Sequence, residues 1–218
     1  NGVETSVAIM DVISGFSGVK RTMEREKVKE VFRRLNAGGI RYVLIGGLAY
    51  SEYAPPRATQ DIDLIVLAED VGKVRQLFPG CYLRGTAIAA IYEFEGTRFD
   101  VQPARRRTQA AAVAHAVEGT FEGEPIRLAN LRDLLFLKLW ASVERHEVIK
   151  GDRDRVDVAE LLAYNGDKVS TQDIASIAQD ILAMGFTGED AARFRGAVAW
   201  LNETLDKLGL PDRKFPLA

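Results

Sequence analysis

The sequence predicts an α/β fold: a mixed sheet with flanking helices, followed by a C-terminal helical bundle. Three observations predict it. Short apolar runs bounded by glycine or proline, above all Tyr42–Ile45 and Asp61–Leu67, have the length and composition of buried strands. Stretches with apolar residues three and four apart lie between such runs, so helix and strand alternate. From Asn130 onward only helical patterns remain. The expected division is a core over 1–128, opened by a weakly patterned lead over 1–20, and a bundle over 129–218. A chain of 218 residues makes one domain, or one with an appendage, and buries enough surface to fold without disulfides or metal.

The elements follow in order. Residues 24–36 read as an amphipathic helix, with Val28, Val31, Phe32 and Leu35 on one stripe, ended by Gly38 and Gly39. Tyr42–Ile45 is a central strand. Gly46 and Gly47 turn the chain into a short helix over 48–53, halted by Pro55 and Pro56. Asp61–Leu67 is the second strand and 69–78 the second long helix. Three further strands are expected over 87–94, 98–102 and 125–128. In the bundle, Asn130 with Asp133 opens a helix to about His146. Helices over 153–164, 170–184 and 187–208 complete it, with Ser170/Asp173 and Thr187/Asp190 as N-terminal signatures and Gly185 as a stop.

Composition narrows the function classes. The 29 basic and 31 acidic residues give a formal charge of -2, which argues against a general nucleic-acid coat but leaves room for a local basic patch. Cys81 is the sole cysteine and cannot form an internal disulfide; with two histidines it leaves little material for a zinc site. No run approaches the ~18 apolar residues of a membrane span. The opening residues lack the basic lead-in of a signal peptide. The expectation is a soluble, cytoplasmic protein with no membrane partner.

Chemistry concentrates in Gly46-Gly47, a spacer of thirteen residues, and Asp61-Ile62-Asp63-Leu64. On a strand Asp61 and Asp63 point the same way, while Ile62 and Leu64 enter the core. Two neighbouring carboxylates on a buried-type strand repel each other and demand a cation, and a hard divalent ion such as Mg²⁺ suits oxygen ligands. The glycine pair sits where a strand ends and a helix begins, so free N–H groups and absent side chains let a phosphate approach. Asp100 supplies a third carboxylate within Arg98-Phe99-Asp100-Val101-Gln102 if that strand lies beside the first pair. Three carboxylates suffice to hold two metals about 3.5–4 Å apart.

These residues resemble the nucleotidyltransferase superfamily, with its polymerase-beta-like mixed sheet. More narrowly, Gly46-Gly47-Leu48-Ala49 with Arg57-Ala58-Thr59-Gln60-Asp61-Ile62-Asp63 resembles the AbiEii/MenT-type minimal enzymes, which include toxins of toxin–antitoxin and phage-defence systems. The likeness extends to Asp133-Leu134-Leu135-Phe136-Leu137-Lys138 and to Arg153-Asp154-Arg155-Val156-Asp157. It implies transfer of a nucleoside monophosphate from Mg-NTP to an acceptor hydroxyl, with RNA or tRNA as acceptor and an antitoxin as protein partner. It also implies catalytic roles for Asp61, Asp63, Asp100, Lys138 and Asp157, with the three aspartates on two Mg²⁺ ions. Gly46, Gly47, Arg57 and Lys138 would bind the nucleotide. Gly47 stands where many relatives carry serine, which shifts phosphate contact onto backbone N–H groups.

Each residue also has a structural reading. Lys138 shares a stripe with Leu131, Leu134 and Leu135, so it either snorkels to water or meets an anion, the triphosphate or an acidic partner. On the triphosphate reading, Lys138→Met leaves the melting temperature near wild type. Asp157 either orients Lys138 or the acceptor or sits with Asp154 on a solvated helix face among Arg153 and Arg155, the reading expected for Asp154. Arg105, Arg106 and Arg107 either bind the acceptor, guide the triphosphate tail or form a solvated loop. His115 and His146 are expected at the surface and Cys81 in the core. Rival acceptors are an aminoglycoside-like small molecule or a protein side chain; a non-catalytic binding module is the remaining alternative.

Overall fold

The computed structural model describes residues 24–145, 149–185 and 188–217. The expected lead over 1–20, His146 and the Thr187 signature lie outside the described residues. The chain forms two compact units, one up to Asn130 and one from Leu131.

The first unit is a mixed seven-stranded sheet: β1 Tyr42–Ile45, β2 Asp61–Leu67, β3 Tyr82–Gly85, β4 Ala90–Phe94, β5 Thr97–Ala104, β6 Val117–Phe121 and β7 Glu124–Leu128. Their spatial order is β3-β4-β5-β2-β1-β7-β6. Strands β2/β5 and β1/β7 run parallel, whereas β1/β2 and the remaining pairs run antiparallel. Helices α1 Arg25–Ala37, α2 Gly46–Tyr50, α3 Val71–Leu77 and α4 Arg107–Ala114 accompany the sheet. The stripe of Val28, Val31, Phe32 and Leu35 on α1 is fully buried, with Phe32 against Tyr42 and Phe121. A second aromatic cluster, Phe78, Tyr92, Phe94 and Phe99, fills the space by β4 and β5. Its ring pairs add to the area term that dominates such a core.

Three elements go beyond the sequence-based expectation. Strand β3 is exposed at every position, so it carries no alternating apolar pattern. Strand β6 contains Gly119, and a glycine inside a strand weakens the strand signal in the sequence. Helix α4 begins inside the arginine run and continues through Gln109-Ala110-Ala111-Ala112, good helix formers hidden behind a charge cluster. The strand expected over 87–94 is confined to Ala90–Phe94. Cys81, expected in the core, is half-buried in the turn before β3, its Sγ 3.6 Å from the Pro79 carbonyl.

The second unit holds α5 Leu131–Glu144, α6 Ile149–Asn165, α7 Thr171–Leu182 and α8 Gly188–Lys207. Helix α5 buries Leu134, Leu135, Phe136, Leu137, Leu139 and Val143 around most of its girth. A helix apolar on all sides belongs at the centre, and α5 packs against α6, α7 and α8. The Ser170/Asp173 capping box forms as expected: Asp173 N donates to Ser170 Oγ at 3.1 Å and Ser170 N to the Asp173 carboxylate at 2.8 Å. Among the described residues no helix is long and apolar enough to cross a membrane.

Candidate active site

The parallel register of β2 and β5 builds the site. Asp61 lies beside Arg98, Ile62 beside Phe99 and Asp63 beside Asp100. Ile62 and Phe99 are fully buried, so the alternation along both strands turns Asp61, Asp63 and Asp100 to the opposite face, where each is half-buried. One carboxylate oxygen from each lies within 4.8 Å of the others. Three anionic oxygen donors at this spacing suit a hard divalent cation such as Mg²⁺.

Strand β1 brings the glycines to this cluster. Ile45 is in register with Asp63, and Gly46 follows with φ +69, opening α2. A Cβ at Gly46 would come within 2.7 Å of Asp63 Cγ, so both the backbone angle and the carboxylate exclude a side chain. A Cβ at Gly47 would sit 2.9 Å from both Cβ and Oγ1 of Thr59. The helix expected over 48–53 thus starts at the glycines themselves. The first turn of α2 begins beside the acidic cluster, at Gly46 against Asp63.

Arg98, which sequence reasoning passed over as a site residue, is part of the cluster. Its Nε and Nη2 donate to the two oxygens of Asp100 at 3.0 and 2.9 Å. The hydrogen bonds to Asp100, with the nearby charges of Asp61 and Asp63, raise its guanidinium above the usual arginine range. The signal was present: Arg98 precedes Asp100 by two on a strand and must share its face. Arg57 is half-buried with its guanidinium 4.4 Å from the centre of the Tyr50 ring, a cation–π contact on α2.

In the second unit Lys138 is 11% exposed and its Nζ lies 2.7 Å from Asp157 Oδ2 and 3.2 Å from Asp154 Oδ1. Arg145 approaches Asp154 at 3.5 Å. Asp154, expected on a solvated surface, is buried, because α6 carries Asp154, Asp157, Val158, Leu161 and Leu162 on one inward stripe. The lysine therefore has acidic structural partners.

Arg105, Arg106 and Arg107 are exposed, with Arg105 Nη1 donating to the Ala87 carbonyl at 2.8 Å. They follow the C-terminal end of β5, whereas Asp100 lies nearer its start; the four residues Val101 to Ala104 stand between Asp100 and Arg105, whose Cα atoms are about 16 Å apart at the usual rise. Arg105 and Arg106 form the short exposed connection between β5 and α4, and Arg107 opens the helix. His115 is exposed, as expected.

No family model matches the chain, and no curated protein matches it in sequence. Solved structures do. The chain is similar to an antigenic nucleotidyltransferase-like protein from Paracoccidioides brasiliensis, with TM-score 0.53, 16% identity, and coverage of 88% of this chain and 94% of that one. It is also similar to the antibiotic-resistance factor ANT(2″)-Ia in solution, with TM-score 0.53, 14% identity, and coverage of 84% and 97%. The crystal structure of ANT(2″)-Ia in complex with adenylyl-2″-tobramycin gives TM-score 0.51, 15% identity, and coverage of 79% and 97%. These likenesses identify the fold as a nucleotidyltransferase-type mixed sheet with flanking helices and a helical C-terminal region.

Proposed function

We propose that the chain is a nucleotidyltransferase that moves a nucleoside monophosphate from an Mg-NTP to an acceptor hydroxyl and releases pyrophosphate. The observation that carries this reading is the convergence of Asp61, Asp63 and Asp100 within 4.8 Å of one another beside the backbone of Gly46. Divalent metal held by these three carboxylates, two ions in the full site, supplies charge neutralisation to the triphosphate. The acceptor oxygen bonds to the α-phosphorus as the α–β bridging P–O bond breaks, and the hydroxyl proton passes to Asp100. Gly46 and Gly47 offer backbone N–H groups to phosphate, and Arg57 reaches phosphate or acceptor. Lys138 as a triphosphate ligand, with Asp157 orienting it, rests on the resemblance to AbiEii/MenT-type enzymes.

The same resemblance favours RNA or tRNA as acceptor, and with it a cytoplasmic toxin held in check by an antitoxin protein. The exposed Arg105, Arg106 and Arg107 support a polyanionic acceptor such as RNA. An aminoglycoside-like acceptor is the second reading, favoured by the likeness to ANT(2″)-Ia and its adenylyl-tobramycin complex. The test incubates the protein with each α-labelled NTP, Mg²⁺, and either total cellular RNA or an aminoglycoside. Label on RNA supports the first reading and label on the drug the second. Label on neither RNA, drug nor the protein itself overturns nucleotidyl transfer.

A further inference from the structure

We infer that Arg98 is an internal counter-cation that competes with a divalent metal ion for Asp100, so that Asp100 is recruited to the metal only when Arg98 lets go. The inference rests on the metal role proposed for the three aspartates. Its warrant is geometric. Arg98 and Asp100 share one face of β5, and that face is in register with Asp61 and Asp63 of β2. The guanidinium fork engages both Asp100 oxygens, at 3.0 and 2.9 Å, the bidentate arrangement that makes such pairs strong and directional. A metal ion on Asp100 would sit about 2 Å from the same oxygens and place two like charges against each other. One of the two cations must yield.

Burial decides which group moves. Asp100 is fixed in a central strand with its side chain 15% exposed, whereas the Arg98 side chain is 41% exposed on a long, rotatable stem. The guanidinium therefore withdraws while the carboxylate stays. An acidic neighbour outside the metal cluster is at hand, because Glu93 on β4 is in register with Arg98. Arg98 is thus a positioning residue: it steadies the carboxylate cluster before the metal arrives and sets the affinity of Asp100 for it.

The experiment measures Mn²⁺ uptake by electron paramagnetic resonance, with inorganic triphosphate present and absent, in wild type, Arg98→Gln, Asp100→Asn and the double variant. Arg98→Gln should bind Mn²⁺ about tenfold more tightly or better, the loss of a charge-assisted fork. Its melting temperature should fall without metal and converge on wild type at saturating Mn²⁺. In the Asp100→Asn background the Arg98→Gln gain should disappear, since the two residues act through one contact. An unchanged affinity in Arg98→Gln overturns the competition, and so does a gain that persists undiminished in the Asp100→Asn background, which would make Arg98 a general field effect. Absence of Mn²⁺ uptake by wild type and Arg98→Gln alike defeats the metal site itself, and the inference falls with it.

Discussion

On β2 and β5, three half-buried carboxylates meet Arg98; on α5 and α6, two buried carboxylates meet Lys138 and Arg145. Both clusters draw on the same residue types, and their charge balance differs. The strand cluster gathers three carboxylates on one half-buried face, with Arg98 forked onto Asp100. The helix cluster pairs its charges inside an apolar stripe, where an unbalanced charge is costly. Local excess held rigidly by a sheet is what a cation site requires. Local balance inside a bundle is what a fold requires, and residues of the second kind respond to mutation mainly through stability.

The largest stability effect is expected at Lys138. Lys138→Met removes the ammonium that lies between two buried carboxylates, Asp157 and Asp154, and breaking a buried pair from one side costs about 3–5 kcal/mol. That reverses the sequence-based expectation of a near-normal melting temperature. Adding Asp157→Asn to Lys138→Met should recover part of the loss in denaturant unfolding; no loss at all would remove the contrast between the clusters.

Gly46→Ala comes next. It forces an L-residue to φ +69 and drives a methyl into Asp63, so about 1–3 kcal/mol of stability is expected to disappear together with Mn²⁺ affinity. Retained affinity in a destabilised variant would separate the glycine from the metal site.

Smaller is the effect of a third acidic group, Asp70, which is fully buried and accepts hydrogen bonds from Arg41 at 2.7 Å and Lys73 at 2.8 Å. Those hydrogen bonds hold its carboxyl well below the usual aspartate range, and Arg33 and Arg34 likewise hold Glu30 at about 2. A depressed carboxyl stabilises the fold above its unfolded value near 4 and loses that contribution as pH falls through the folded one. Melting temperature should therefore decline from about pH 4 downward. Asp70→Asn should cost about 1 kcal/mol at neutral pH, the partners being half-exposed, and flatten that decline. A pH profile identical to wild type would count against the assignment.

Least stability change is expected for joint replacement of Arg105, Arg106 and Arg107 by alanine, within about 0.5 kcal/mol, because all three are exposed. The salt dependence of RNA affinity should nevertheless flatten by about two units in log–log slope, at ~0.7 per lost contact. An unaltered slope would make the run part of the α4 entrance and nothing more.

Legibility in the sequence followed burial. Strands β1 and β2 stand at the residues expected, because a continuous apolar run has few other places to go. Asp61, Asp63 and Asp100 were readable through strand alternation, and the β2/β5 register supplied the convergence that alternation alone leaves open. Strand β3 was not readable, since an edge exposed throughout carries no face signal. Asp154 lies on the inward stripe of Asp157, Val158, Leu161 and Leu162, all inside the helix expected over 153–164; a charged residue between Arg153 and Arg155 reads as solvated surface until Lys138, which pairs with it, is placed. Arg98 was missed because a cation beside an acidic cluster looks like ordinary surface charge until its hydrogen bonds are known.

The central claim is that Asp61, Asp63 and Asp100 form a cation-dependent nucleotide site, and isothermal calorimetry tests it most directly. Each Mg-NTP is titrated into wild type and into the Asp61→Asn/Asp63→Asn variant, which keeps side-chain size and removes two charges. The wild type is expected to bind at least one Mg-NTP, with binding lost when Mg²⁺ is chelated. The variant is expected to bind none while melting at the wild-type temperature or above, since removing the charges relieves their repulsion. Equal binding by the two proteins would contradict the assignment of the carboxylates to metal.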